Sequence, residues 1–219
     1  MIKTTPSTKI DQGLDYIRAH CNLRPSIAII LGSGLGNFAD TLRSQIAINT
    51  SQIPHYPTST VEGHQGRLVF GYVKRVPILA VQGRTHYYEG HSISDVAYVV
   101  RLMARLGIKL LIVTNAAGGV NPRFKPGDLM IISDHINFMF KNPLRGPQLS
   151  SESRWTDMNN AYDREYSEII EQAGLRTHIP LKKGVLFVST GPTYETNSEV
   201  KMARHFGADA ESMSTIPEV

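Results

Sequence analysis

The stretch Ala28–Asp40, AIILGSGLGNFAD, passes from a run of β-prone apolar residues into Gly32-Ser33-Gly34-Leu35-Gly36. A short apolar run closed by glycines reads as a buried strand entering a tight turn. The spacing excludes three familiar motifs. A dinucleotide fingerprint needs Gly-x-Gly-x-x-Gly, and a P-loop needs Gly-x-x-x-x-Gly-Lys-Ser/Thr. Glycines at 32, 34 and 36 are too close for the first, and no Lys follows for the second. A nucleophile elbow needs Gly two residues before Ser, where Leu31 stands. Two readings remain. The backbone N–H groups and the Ser33 hydroxyl can cradle an anion such as phosphate, or the segment is a plain strand-to-helix turn.

Working outward, apolar Ile10, Leu14 and Ile17 predict a helix over 9–20, and 26–31 a buried strand. Residues 67–73 and 76–82 read as a hairpin turning at Lys74-Arg75. One amphipathic helix is expected over 93–106, stopped by Gly107. A strand over 108–114 runs into Asn115-Ala116-Ala117-Gly118-Gly119, and another covers 129–133. Residues 137–157 are irregular. A helix over 158–173 is expected to stop at Gly174, followed by a strand over 185–190. Thr196-Asn197-Ser198-Glu199 is a capping box opening a helix that ends at Gly207. Alternating strands and helices define an α/β class with a mixed twisted sheet flanked by helices. The 219 residues suit a single domain, 1–219. Polar, Gly-rich segments follow strands at 32–36, 83–91, 115–119 and 191–195, and α/β sheets bind ligands at the carboxyl ends of their strands.

The composition narrows the function classes. Lys and Arg number 23 against 19 Asp and Glu, a net charge of +4 that is scattered along the chain. The densest basic pairs, Lys74-Arg75 and Lys182-Lys183, read as turns, so no nucleic-acid stripe is expected. A single cysteine, Cys21, excludes an internal disulfide and fits a reducing compartment. No apolar stretch approaches the ~20 residues that span a bilayer, and MIKTTPSTKI lacks an apolar signal core. No membrane partner and a cytoplasmic location are therefore expected.

The densest polar stretch is Gly83-Arg84-Thr85-His86-Tyr87-Tyr88-Glu89-Gly90-His91. Arg84 and His86 alternate as on a strand and would point the same way. A guanidinium fork beside an imidazole is an oxyanion clamp; the plainer reading of Arg84 is a surface ion pair. His86 and His91 lack helical metal-ligand spacing and an adjoining carboxylate cluster, so no metal is expected. His64, between Gly63 and Gly66 in a polar turn, gates a pocket or decorates the turn. Tyr194 offers an aromatic face to a planar ligand. Glu195 either compensates the dipole of the following helix or accepts from a ring N–H.

Seven motifs now occur in order: Leu31–Gly36, Val61–Gly66, Gln82–Gly90, Thr114–Gly119, Asp134–Asn137, Gly191–Thr196 and Met213–Val219. Together they resemble the low-molecular-mass, trimeric purine nucleoside phosphorylases over nearly the whole chain. The resemblance implies phosphorolysis of inosine- or guanosine-type nucleosides to free base and ribose 1-phosphate. It implies that Ser33, Arg84, His86, the Ala116 backbone and Ser214 hold phosphate, with His64 on a closing loop. Tyr88 and Met213 would flank the ribose, Tyr194 would pack on the purine, and Glu195 would accept from N1–H, making His86 and Glu195 the catalytic candidates. Trp155 matches an aromatic that the family inserts into a neighbouring subunit's site; its other reading is a buried anchor for its own loop. No cofactor is implied, phosphate being a co-substrate, and the expected assembly is a homotrimer.

Two departures carry expectations. Glu211-Ser212 stands where the family usually has a small apolar residue and Gly before Met213: Glu211 either lies along the purine pocket near Glu195, where two carboxylates resist joint ionisation, or turns outward, and Ser212 would crowd backbone that Gly lets approach closely. The family also continues past Val219 with a strand and terminal helices carrying an Asn for the leaving purine and a His near the ribose 5′-hydroxyl. Without the last strand and these helices, an exposed sheet edge, exposed apolar surface and weak turnover are expected. Alternative readings are a methylthioadenosine phosphorylase, which Glu195 disfavours, or an impaired member that binds phosphate or purine only.

Overall fold

The computed structural model describes residues 6–61, 63, 65–148 and 153–219. The chain divides into two compact units. The first comprises the described residues up to Ala116, with 142–148 and Glu218. The second comprises Ala117–Lys141 and Ser153–Pro217, with Val219.

In the first unit, helix α1 (Pro6–His20) is followed by strands β1 (Ile27–Leu31), β2 (Arg43–Asn49), β3 (Arg67–Val73) and β4 (Val76–Gln82). Helices α2 (Ile93–Val96) and α3 (Tyr98–Leu106) then lead to β5 (Leu110–Val113). The sheet order is β2-β3-β4-β1-β5, with β1 parallel to both β4 and β5 and with β2, β3 and β4 antiparallel in sequence. Strand β1 is apolar throughout because both faces are covered. Ala28 and Ile30 join a core with Ile10, Leu14 and Ile17 of α1 and Leu102 of α3. Ile27, Ile29 and Leu31 join Ala39, Leu42 and Val69 on the other face. This opposite-face alternation is the period of a strand, and the uninterrupted hydrophobicity is the mark of a central parallel one.

In the second unit, strands β6 (Gly118–Gly119), β7 (Leu129–Asn137), β8 (Leu181–Val188) and β9 (Ala210–Ser212) form a sheet of order β6-β9-β8-β7. Helices α4 (Arg164–Thr177) and α5 (Asn197–His205) accompany it. Val120, Phe187, Ala203 and Ala208 form its core, with Phe138, Val200 and Met202 packed against them.

The expected α/β class is present, with the strands distributed over two sheets. Several local expectations are corrected. The helix over 93–106 is two helices, because Ala97 sits at ψ −1°, well off the helical value. Helix α4 does not stop at Gly174; it runs to Thr177 and ends at His178 in the left-handed region, φ 57°. Gly174 serves close packing instead, since a Cβ there would lie 2.6 Å from Leu181 Cδ1. Lys182-Lys183 is inside β8, not in a turn. Lys74-Arg75 does form the hairpin turn, with Lys74 at φ 54°.

Candidate active site

The turn after β1 is built by Gly34 at φ 84°, which glycine adopts without strain, and by Leu35 N–H donating to the Gly32 carbonyl at 3.0 Å. It leads into a 3-10 turn over Gly36–Thr41, not an α-helix. Ser33 is exposed. The Gly32 N–H donates to Thr114 Oγ1 at 2.8 Å, and that hydroxyl donates to the Ile30 carbonyl at 2.9 Å. The anion cradle read from the sequence is thus first a clasp between β1 and the segment after β5. A Cβ on Gly32 would lie 2.7 Å from both Asn115 Cα and the Thr114 carbonyl oxygen, all main chain. Gly32→Ala is expected to cost about 1–3 kcal/mol or more through overpacking. An unchanged urea midpoint for that variant would contradict this geometry.

Arg84 follows β4 and is buried at 3% exposure, which overturns the surface-pair reading. Its Nη1 donates to Glu218 Oε1 at 3.2 Å, with the two side chains 2% and 1% exposed, and its Nη2 donates to the Thr114 carbonyl. Five N–H donors in a rigid plane make a guanidinium held in this way an oriented anion receptor.

His86 is buried beside it in sequence and stacks on Tyr88, with ring centroids 4.7 Å apart and 16° between planes. One carboxylate, Glu89, lies against it. Glu89 Oε1 accepts from the His86 backbone N–H at 2.6 Å and lies 3.1 Å from His86 Nδ1. Glu89 Oε2 accepts from the Thr60 hydroxyl at 2.9 Å, the Thr60 N–H and Ser59 Oγ. One buried carboxylate therefore ties the histidine to the segment leading into 61–66. His64 itself lies outside the described residues. Burial alone would raise the Glu89 pKa, but the N–H groups of Thr60 and His86, with their side chains, bring it down to about 2 from 4.5. A folded value below the unfolded one stabilises the fold above about pH 4.5, and this contribution is lost as pH falls toward 2. Glu89→Gln is therefore expected to lose on the order of 3 kcal/mol at neutral pH. The gap to the unaltered chain should shrink as acid unfolding is followed downward, and a gap constant with pH would refute the assignment.

Ala116, whose backbone the resemblance gives to phosphate, is exposed at the end of the first unit's chain run.

In the second unit, a cleft of about 190 Å³ is lined by Phe138, Phe187, Ser189, Tyr194, Glu195 and Met202, among others. Glu195 is half-buried, and the Ser189 hydroxyl donates to its Oε1 at 2.7 Å. The dipole-compensating role falls to Glu199, whose carboxylate accepts from the Thr196 N–H at 2.7 Å while the Thr196 hydroxyl caps α5 as expected. Tyr194 is 89% exposed, a free aromatic face at the rim. Met213 is half-buried, and Ser214 is buried, 3.4 Å from Ser212 Oγ. Thr215, fully buried, holds φ 87° just before the turn that brings Glu218 to Arg84. Trp155 is 87% exposed, so it is no buried anchor. Among the described residues no group of three His, Cys, Asp or Glu is arranged to hold a metal ion.

Three positioning residues escaped the sequence reading. Glu89 carries a readable signal, the i, i+3 spacing to His86 of a capping box. Glu218 and Ser189 carry none, because their partners are set only by folding.

The second unit thus carries an aromatic cleft with a braced carboxylate, and the first carries buried Arg84 and His86 after a strand, both within an α/β protein. Comparison with known proteins specifies which. The phosphorylase superfamily matches residues 26–219. Purine nucleoside phosphorylase 1 of Bacillus subtilis is 48% identical over 96% of this chain and 78% of its own length. The Rattus norvegicus purine nucleoside phosphorylase is 44% identical over 94% of this chain and 73% of its own. A crystal structure of purine nucleoside phosphorylase with ribose-1-phosphate superposes with a TM-score of 0.93 at 37% identity, covering 99% of this chain and 82% of that one. A schistosoma purine nucleoside phosphorylase in complex with hypoxanthine gives 0.91 at 37%, covering 95% of this chain and 76% of that one. The chain belongs to the phosphorylase superfamily and, within it, to the purine nucleoside phosphorylases.

Proposed function

We propose that this chain phosphorolyses 6-oxopurine nucleosides, converting inosine or guanosine and inorganic phosphate to free base and ribose 1-phosphate. The observation that carries the choice of base is the Glu195 carboxylate, braced by Ser189 in an aromatic cleft. It accepts from N1–H, which 6-oxopurines have and adenine lacks; an adenine lone pair facing it leaves a buried acceptor unpaired, at about 1–3 kcal/mol.

Phosphate is held by Ser33, Arg84, His86, the Ala116 backbone and Ser214, with His64 closing over it. Tyr88 and Met213 flank the ribose, and Tyr194 covers the purine. As the glycosidic bond breaks, the sugar gains oxocarbenium character. The phosphate anion stabilises that positive charge and then attacks the anomeric carbon. The protein's part is orientation and charge complementarity. No cofactor or metal takes part. The chain works in the cytoplasm as a homotrimer, a reading supported by Trp155, which projects from its own unit as an aromatic available to a neighbouring subunit.

The test is hypoxanthine release from inosine with and without phosphate. Release that requires phosphate supports the proposal. Release that ignores phosphate, or none in its presence, refutes it.

A further inference from the structure

Gly118, Glu211, Phe187 and Ile136 stand side by side in register across β6, β9, β8 and β7. Residues paired across a sheet point to the same face. Phe187 lines the cleft, so Glu211 projects on the cleft's side of the sheet. Gly118 makes the room: a Cβ there would lie 3.3 Å from Glu211 Cγ and 3.4 Å from its Oε1. Glu211 Oε2 is buried and has no hydrogen-bond partner among the described residues. The charged groups acting on it are both acidic, Glu195 before α5 and Glu199 within it. Gly118, Phe187 and Ile136, its neighbours on the other strands, carry no charge. Burial first, and then these two carboxylates, push the Glu211 pKa up. A buried anion facing two other anions is unfavourable, whereas a protonated carboxyl is neutral and gains an O–H donor.

We propose that Glu211 is a specificity-determining residue of the purine cleft, a neutral acid whose O–H donates to a ring-nitrogen acceptor, so that the cleft also admits the 6-aminopurines that Glu195 alone disfavours. The inference rests on the purine reading of the cleft given above. Glu195 supplies the acceptor that N1–H of a 6-oxopurine needs. N1 of a 6-aminopurine is itself an acceptor, and Glu211 supplies the donor that Glu195 cannot.

The test is calorimetric binding of adenine and hypoxanthine to the intact chain at about pH 5 and about pH 8, both above the usual glutamate value. Adenine is expected to bind at the lower pH and to weaken about tenfold at the higher, the worth of one net hydrogen bond. Hypoxanthine should change far less. Glu211→Val should weaken adenine about tenfold at the lower pH and abolish its pH dependence while sparing hypoxanthine, which shows the cleft intact. Glu211→Gln, whose amide donates and does not titrate, should keep adenine bound at both pH values. Adenine binding that is independent of pH in the unaltered chain, or undiminished in Glu211→Val, overturns the inference. Binding of neither base overturns the purine reading of the cleft, and the inference with it.

Discussion

Replacing Glu218 by alanine is expected to destabilise the fold by about 3–5 kcal/mol, the cost of leaving one partner of a buried ion pair uncompensated. The pair qualifies because both side chains are almost wholly excluded from solvent and meet at 3.2 Å. Surface pairs are worth ~0–1 kcal/mol, so the size of the effect separates the two cases. Urea unfolding of the single variant and of the double variant Glu218→Ala/Arg84→Met provides the check. The double variant should recover part of the loss, because no charge is then left buried without a partner. Phosphate binding should weaken in Glu218→Ala even where the protein remains folded, since Arg84 loses the contact that fixes its plane. A loss below about 1 kcal/mol would place the pair in the surface class and refute this account.

Glu195→Ala is expected to lower kcat/KM for inosine roughly 10- to 150-fold, the range for losing a hydrogen bond to a charged group. Ser189→Ala should cost less, because it removes only the brace that donates to Oε1 at 2.7 Å. Comparing the two variants on inosine separates recognition from orientation. Equal losses would mean that the carboxylate's direction matters more than its charge, and no loss in Glu195→Ala would remove it from the purine site.

Much of the fold was legible because its signals are local. The β1 run is apolar at every position, which only a strand covered on both faces tolerates. The α1 stripe at Ile10, Leu14 and Ile17 is buried as its helical spacing requires. Thr196 and Glu199 form their capping box within four residues. The misreadings fell where local chemistry admits two outcomes. Gly174 fits a helix stop by its residue type, yet a glycine serves equally where another residue comes close, and the position of Leu181 decides between them. The polarity of Lys182-Lys183 suits a turn, yet both residues lie in a strand at register with Met130 and Ile131 of β7.

The candidate site was legible as a set of residue types and opaque as a set of contacts. The sequence by itself determined that the chain is α/β, that glycine-bounded turns follow its strands, and that Arg84, His86 and Glu195 sit in such turns. These follow from hydrophobic period, turn chemistry and motif spacing, each confined to a few neighbouring residues. Only the tertiary structure decided that Arg84 is clamped by Glu218, 134 residues away. It alone joined Gly32 to Thr114, Glu89 to Thr60, and Glu211 to the face of the sheet that carries Phe187. The physical reason is common to all four. Whether a polar group is buried, and which partner it then finds, depends on strand order and register, and these are fixed by the packing of the whole core.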